Sequence, residues 1–576
     1  MRLILAIVLV STAAAAAADL PSRKAAPVSF LRACNAFGPG FFVIPGSDTC
    51  VRIGGVVEAT AAVSNTPNRY NFSNSGYEIS KYLTGDGLGS SPNSPGAMPS
   101  AVVSSQIRDA VSSQAVGRIE LDARTASPWG AVRAFVRMES LFGAGATANT
   151  GALPSSLVTM PPSSGGWNPS TGPTAVALPS YAGATASRET TWLSKAFLQF
   201  AGLTVGRAQS MFDFYGDSIG YTAHPGSNQT VNEIAYTLTL SDSVSATLSI
   251  EDQVSHRSNA VSVVSLSNAW ISGASWLYAN NGLSLFSVGG SATPSPQIDG
   301  TRIPDVVANL RVDQAWGAAQ IMVATHQSRT SLNPIGGAAE GAFAPAVNFG
   351  VAGSPQPLWG QGVIARNSSL GFAVGAGVMF NLDMLAPGDQ LWLQAIWARG
   401  AVGYTSGNNF NFNNGVNTSN SYAYGLGRLS SGNGWAGGQD YDCVWTYAGA
   451  CKPSQSFAAT AAFMHFWTPA VSSWLTGSYY AVAYSSDATN PIPGAIALGS
   501  THAGMGMTNY RQTIVTAGVE WSPVRDFGIG VEIGWTHGMT SRPIGLAYQP
   551  TLAMNGFGFS GSADLVRGKL RMTRAF

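Results

Sequence analysis

Between residues 117 and 125 the chain alternates with a period of two. Ile119, Leu121 and Ala123 hold one parity, and Arg118, Glu120, Asp122 and Arg124 hold the other. Successive side chains of a strand point to opposite faces, so one face here is apolar and the other carries four charges in a row. The stretch Ser127-Pro-Trp-Gly130 then turns the chain into Val132, Ala134, Val136 and Met138, set against Arg133, Arg137 and Glu139. This predicts a hairpin whose charged face meets water in a wet lumen or in bulk solvent.

The same grammar recurs. Val51, Ile53, Gly55, Val57 and Ala59 oppose Arg52, Gly54, Val56 and Glu58; Lys195, Phe197 and Gln199 oppose Ala196, Leu198 and Phe200; Val306, Ala308, Leu310 and Val312 oppose Asn309, Arg311 and Asp313. Further strands are predicted near 236–240, 246–251, 320–326, 369–382, 389–404, 456–467, 474–485, 511–522, 526–538 and 564–576. Short turns at 127–130, 201–202, 241–243, 314–317, 386–389, 468–473 and 522–526 alternate with long Gly/Ser/Asn/Pro loops. The long loops fall near 63–114, 143–189, 209–232, 253–303, 328–368, 405–455 and 539–563. About sixteen strands, with short turns on one side and long loops on the other, predict an all-β transmembrane antiparallel barrel with periplasmic turns and extracellular loops. Aromatics at strand ends, among them Trp129, Trp192, Trp316, Trp392, Trp467, Trp474, Trp521 and Trp535, suit interfacial girdles. The competing architecture is a secreted sandwich or adhesin with polar outer faces.

Composition narrows the choice. Only 10% of the 576 residues are charged, against a usual share of about 25%. The net charge of +1 supports neither nucleic acid nor a polybasic membrane-surface role. Residues 1–18 read as a secretory signal, with Arg2, an apolar run over 3–10 and small residues over 13–18. No later run of about 18 apolar residues follows, so an exported chain that inserts in lipid does so as a closed barrel. Residues 19–50 form a Pro/Gly-rich leader, and 51–576 the barrel. The four cysteines fall in two local pairs, Cys34 with Cys50 and Cys443 with Cys451. Export makes each pair a predicted disulfide, by proximity alone. No His lies at zinc-like spacing to them, and no metal or cofactor is expected.

The chain ends Gly568-Lys-Leu-Arg-Met-Thr-Arg-Ala-Phe576. Phe576, Arg574, Met572 and Leu570 share one face, and Arg571, Lys569 and Arg567 the other. A terminal Phe on an alternating last strand resembles the signal read by the outer-membrane assembly machinery.

Several blocks together resemble the porin family of alphaproteobacteria. They are Ala18-Asp-Leu-Pro21, the Cys34 to Cys50 segment with Val51-Arg-Ile-Gly-Gly after it, Leu198-Gln-Phe-Ala-Gly-Leu-Thr-Val-Gly-Arg-Ala-Gln-Ser-Met-Phe-Asp-Phe-Tyr215, Val306-Val-Ala-Asn-Leu-Arg-Val-Asp-Gln-Ala-Trp-Gly317, and the ending at Phe576. The resemblance spans the mature chain. It implies a sixteen-stranded, homotrimeric, general-diffusion porin of the outer membrane whose third outer loop, about 209–232 here, folds inward as the eyelet. In such porins acidic loop residues face a basic cluster on the wall. Asp213 and Asp217 are then the acidic candidates. Arg118, Arg133 and Arg137 are the basic ones, with Arg52 and Arg207 as outlying members. Glu120, Asp122 and Glu139 lie among the arginines, and that balance names no preferred ion.

The implied activity is passive diffusion of small hydrophilic solutes and ions, with no catalytic residue. A barrel enzyme would need positioned acids, bases or a nucleophile, whereas His224, His256, His326, His465, His502 and His537 scatter without a partner motif. The alternative function is a substrate-specific channel of the sugar or phosphate type, marked by an aromatic slide or an arginine ladder. A plugged receptor needs a globular N-terminal domain larger than residues 19–49.

Overall fold

The structure, a computed structural model, describes residues 32–64, 111–145, 187–257, 261–262, 295–298, 300–333, 365–406, 441–446, 450–490, 509–540 and 562–576. The expected signal over 1–18 and the block Ala18-Asp-Leu-Pro21 lie outside them.

Sixteen long strands form the wall. They are β1 (Thr49–Ser64), β2 (Val111–Ser127), β3 (Gly130–Gly145), β4 (Ser187–Phe200), β5 (Leu203–Gln209), β6 (Thr230–Ser241), β7 (Val244–Glu251) and β8 (Asp305–Gln314). The second half is β9 (Gly317–Asn333), β10 (Ala365–Asn381), β11 (Gln390–Arg399), β12 (Gln455–Thr468), β13 (Val471–Ala483), β14 (Tyr510–Val524), β15 (Phe527–Thr540) and β16 (Ser562–Ala575). Each pairs antiparallel with its sequence neighbour. β16 closes on β1 in register from Arg567↔Ser64 to Ala575↔Val56. Closure leaves no unpaired strand edge, the condition for a sheet to cross lipid.

The register turns the sequence alternation into two surfaces. Ile53, Val57, Ile119, Leu121, Val136, Met138, Leu198, Ile234, Leu248, Ile321, Leu370, Leu475, Val531 and Ile533 lie exposed on the outside. A soluble monomer rarely exposes an apolar area that continuous; here it is the belt that meets lipid. The opposite parity carries Arg118, Glu120, Asp122, Gln320, Gln394, Thr460, Thr516 and Glu532 into the interior. β16 keeps its predicted faces: Leu570, Met572, Arg574 and Phe576 are exposed, while Lys569 and Arg571 are partly covered.

Short turns join the strands at the periplasmic end. Ala201 and Gly202 link β4 to β5 with both residues left-handed, at φ +48° and +84°, the backbone of a type I′ hairpin turn. The other end joins the strands through the longer connections; the loops expected near 63–114, 143–189, 253–303, 328–368, 405–455 and 539–563 lie largely outside the described residues. The third connection, between β5 and β6, spans 210–229 and is shorter at both ends than the expected 209–232.

Both disulfides form as expected. Cys34–Cys50 ties the leader to β1, and Cys443–Cys451 closes a small hairpin (Cys443–Trp445 with Cys451–Pro453) at the loop end. Beside that hairpin, His326 of β9 lies between Asp305, at 2.9 Å, and Asp442, at 3.4 Å. The leader's two short strands, Arg32–Ala33 and Phe42–Val43, pair with each other, and the second pairs with β1 at Val51 and Cys50.

Candidate functional site: the lumen and its inward loop

Loop 210–229 leaves the wall and crosses the lumen. Its neck is closed by Ser210 N–H donating to Gln229 O at 2.9 Å. Ser210 Oγ and Met211 N–H donate to Glu251 of β7 at 2.7 and 3.0 Å. Asn309 of β8 donates to Met211 O at 2.5 Å, and Gln320 of β9 to Asp213 O at 3.3 Å. The Phe214 ring sits over Gly377 of β10, in space that a Cβ there would fill, and tilts against Trp392 of β11 at 5.3 Å. Tyr215 N–H donates to Gln394 of β11 at 2.9 Å.

The second half of the loop continues around the wall. Thr460 of β12 donates to Pro225 O at 3.1 Å, and His224 Nδ1 meets Ser478 of β13 at 2.8 Å. Tyr221 OH donates to Glu520 of β14 at 2.6 Å, resting where Gly530 of β15 has no side chain. Glu532 of β15 accepts from Tyr221 N–H, Thr222 Oγ1 and Trp474 Nε1 at 2.6, 2.6 and 3.0 Å. Lys569 of β16 donates to Tyr221 O and Thr222 Oγ1 at 2.6 and 2.8 Å, with its Nζ 3.7 Å from Glu532. Arg571 lies 4.3 Å over the Tyr221 ring. The loop therefore lines the inside of ten consecutive strands, β7 to β16, and leaves β1–β4 as the bare wall.

On that wall charges stand in pairs. Arg118 meets Glu139 at 3.2 Å, and Arg137 meets Glu120 at 2.7 Å. Asp122, itself 1% exposed, holds Arg124 at 2.8 Å, Arg133 at 3.0 Å and Arg52 at 3.7 Å. Lys195 joins from β4, in register with Arg137. On this wall the cations Arg52, Arg118, Arg124, Arg133, Arg137 and Lys195 thus stand with the carboxylates Glu120, Asp122 and Glu139, an excess of three positive charges within that described cluster. Glu58 of β1 is engaged by Arg571 at 3.1 Å.

Of the residues singled out in the sequence, Arg52, Arg118, Arg133 and Arg137 come together on this wall. Arg207 does not. β5 pairs Leu203, Val205 and Arg207 with Tyr236, Ile234 and Asn232, and this parity faces outward. Arg207 accordingly sits on the outer surface and donates to Leu193 O at 3.1 Å. Arg124 and Lys195, absent from the expected cluster, belong to it; Arg124 shares the Arg118 parity, a signal already visible.

Asp213 and Asp217 lie in the loop, each largely buried. Both tie its two halves together. Asp213 Oδ2 accepts from Gln209 Nε2 at 2.5 Å and Gln229 N–H at 2.6 Å; Asp217 accepts from His224 N–H at 2.8 Å and Asn228 Nδ2 at 3.1 Å. Burial pushes both carboxyls up to about 6, and these hydrogen bonds oppose the rise. Gly216 and Asp217 are left-handed in succession, at φ +53° and +55°, which reverses the chain at the loop's far side.

A closed antiparallel barrel with an apolar outer belt, a polar interior and one inward loop defines an outer-membrane channel barrel. The chain belongs to the porin subfamily, whose sequence profile matches residues 19–555. It is 37% identical over 68 residues to outer membrane protein IIIA of Rhizobium leguminosarum bv. viciae, a match covering 10% of this chain and 19% of that protein. The chain thus spans about a fifth of the length of the curated relative it matches. Solved structures of similar fold include the outer membrane channel DcaP of Acinetobacter baumannii, with a TM-score of 0.47 and 12% identity over 93% of this chain and 99% of that one. OprB of Pseudomonas putida aligns with a TM-score of 0.40 and 9% identity over 91% and 94%.

Proposed function

We propose that the protein is a passive outer-membrane channel whose aperture lies between loop 210–229 and the β1–β4 wall. Small hydrophilic solutes and ions cross there because the wall replaces part of their hydration, removing the cost of entering hydrocarbon. The observation that carries this reading is the one-sided seating of the loop on β7–β16, which leaves the arginine-rich face of β1–β4 opposite it. Asp213 and Asp217 stand on the loop side of this aperture, and Arg52, Arg118, Arg133 and Arg137, with Arg124 and Lys195, on the wall side. The excess of cations favours anions over cations in the bore.

In this reading residues 1–18 are removed on export, 19–50 stay at the periplasmic face and 51–576 make the pore. Three copies assemble in the membrane, and Phe576 is the handle for the assembly machinery. Phe576 N–H and O pair with Gly55 O and N–H at 3.0 Å, so that residue also completes the β16–β1 seam.

Planar-bilayer recording of the folded protein tests the reading. A steady ohmic current is expected, with a reversal potential in a KCl gradient that favours chloride. The absence of current from folded protein contradicts it.

A further inference from the structure

The leader reaches back into the periplasmic mouth. Cys34 N–H donates to Phe41 O at 2.8 Å, and the short strand Phe42–Val43 pairs with Val51 and Cys50 of β1. β16 pairs with β1 only as far as Val56, with Phe576 on Gly55. The leader therefore takes the stretch of β1 edge that the C-terminus leaves open. The disulfide to Cys50 fixes it there. This seating buries Phe41 to 5% exposure on the lumen side of the wall, with the Arg52 and Arg124 guanidiniums 5.3 and 5.0 Å from its ring centroid.

Those two arginines share Asp122 with Arg133, which in turn lies 5.1 and 5.4 Å from the rings of Phe135 and Phe197. Three guanidiniums thus stand on one carboxylate, each against an aromatic face. Asp122 is saturated: Arg124 and Arg133 each bind it through two nitrogens. Arg52 is different. Its only contact with Asp122 is at 3.7 Å, it makes no hydrogen bond to a described residue, and its side chain is 45% exposed. It keeps a free planar fork, the geometry that grips a carboxylate or phosphate in two bonds.

Resting on the channel reading above, we propose that the stapled leader is a selectivity element. Phe41 is the positioning residue that holds Arg52 and Arg124 with Arg133 as an oxyanion station at the periplasmic mouth. The ring attracts both cations through its π face and denies them other rotamers. A solute carboxylate or phosphate leaving the constriction meets the Arg52 fork next. Without Phe41 the long side chains spread, and the local excess of positive charge disperses.

The test is reversal-potential recording of the full-length folded channel in a KCl gradient, with inorganic phosphate then added to each side in turn. Phe41→Ala is expected to lower the chloride-to-potassium permeability ratio by at least about two- to fivefold, the fold-change of a single weak cation–π contact, while Phe41→Trp restores it. Phosphate added at the short-turn side is expected to slow chloride current in the wild type and not in Arg52→Gln, which leaves the leader's core intact. An unchanged ratio in Phe41→Ala overturns the inference, as does failure of Trp to restore it, since plain packing would not discriminate in that way. If Phe41→Ala does not fold, phosphate inhibition that persists in Arg52→Gln overturns it instead. A wild type that passes no current overturns the channel reading itself, a distinct outcome.

Discussion

The two sides of the lumen use the same residue types for opposite ends. On β7–β16, charged and polar side chains are consumed by the loop: Glu532 accepts three hydrogen bonds and faces Lys569, and Glu251 accepts two from the loop's neck. On β1–β4, charges pair among themselves, stay partly open to water and leave positive charge in excess. Polar residues on the inner parity are therefore of two kinds. One kind fixes the size of the bore, and the other sets which ion prefers it. Breaking either side should leave the other's property largely standing.

The largest effect is expected at the latch. Glu532→Ala leaves Lys569 in a buried site without its counter-charge and frees two donors of the loop, a loss of about 3–5 kcal/mol for a broken buried pair. Single-channel conductance and current noise should both rise, and loop 210–229 should become open to proteolysis. Wild-type conductance with a protected loop would show that Glu532 does not hold it. Next comes Gly377→Val, which fills the seat of the Phe214 ring. Overpacking of this kind costs about 1–3 kcal/mol, so the melting temperature should fall and conductance change, with ion preference kept. A shift in ion preference without a change in conductance would contradict the division of labour.

Much of this comparison was legible in the chain. The alternation that puts Ile119 and Leu121 outside and Arg118, Glu120 and Asp122 inside survives because lipid and water reward opposite faces of every strand. It also predicted the faces of β16, but not that β1–β4 is the part of the wall the loop leaves bare. The parity shared by Leu203, Val205 and Arg207 was equally visible, and it carries Arg207 outward. The latch was not legible: Tyr221 and Glu532 stand 311 positions apart, and nothing local marks one as the other's partner. Nor does the Pro/Gly-rich leader announce that Phe41 lies on two arginines. Such contacts depend on barrel closure, which brings distant strands opposite one loop.

Smaller effects sharpen the charge side. Asp213→Asn with Asp217→Asn keeps an acceptor oxygen at each site, so the loop should stay folded. Removing two negative charges should lower cation relative to anion permeability, by up to about fivefold for each charge if it acts through water. An unchanged ratio would place both outside the constriction. Acidification is the mildest change. Both carboxyls are pushed up to about 6; Asp213 feels Lys195, and Asp217 feels Lys569. As the pH falls from 7 to 5 they take up protons and become neutral, so the cation share should drop in this window in the wild type and stay flat in the double Asn variant. An equal drop in both would assign the titration to other groups.

The central claim is that loop 210–229 covers β7–β16 and leaves β1–β4 facing the solute. All four cysteines are held in disulfides, so single cysteines can be probed without a background of reactive thiols. Lys195→Cys lies on the bare wall; Ser478→Cys lies behind His224, where the wild-type serine is 5% exposed and its hydroxyl is 2.8 Å from the imidazole. Exposure of open channels to an anionic methanethiosulfonate reagent should modify Lys195→Cys quickly and reduce its current, while Ser478→Cys stays protected. Modification of Ser478→Cys as fast as Lys195→Cys would contradict the account.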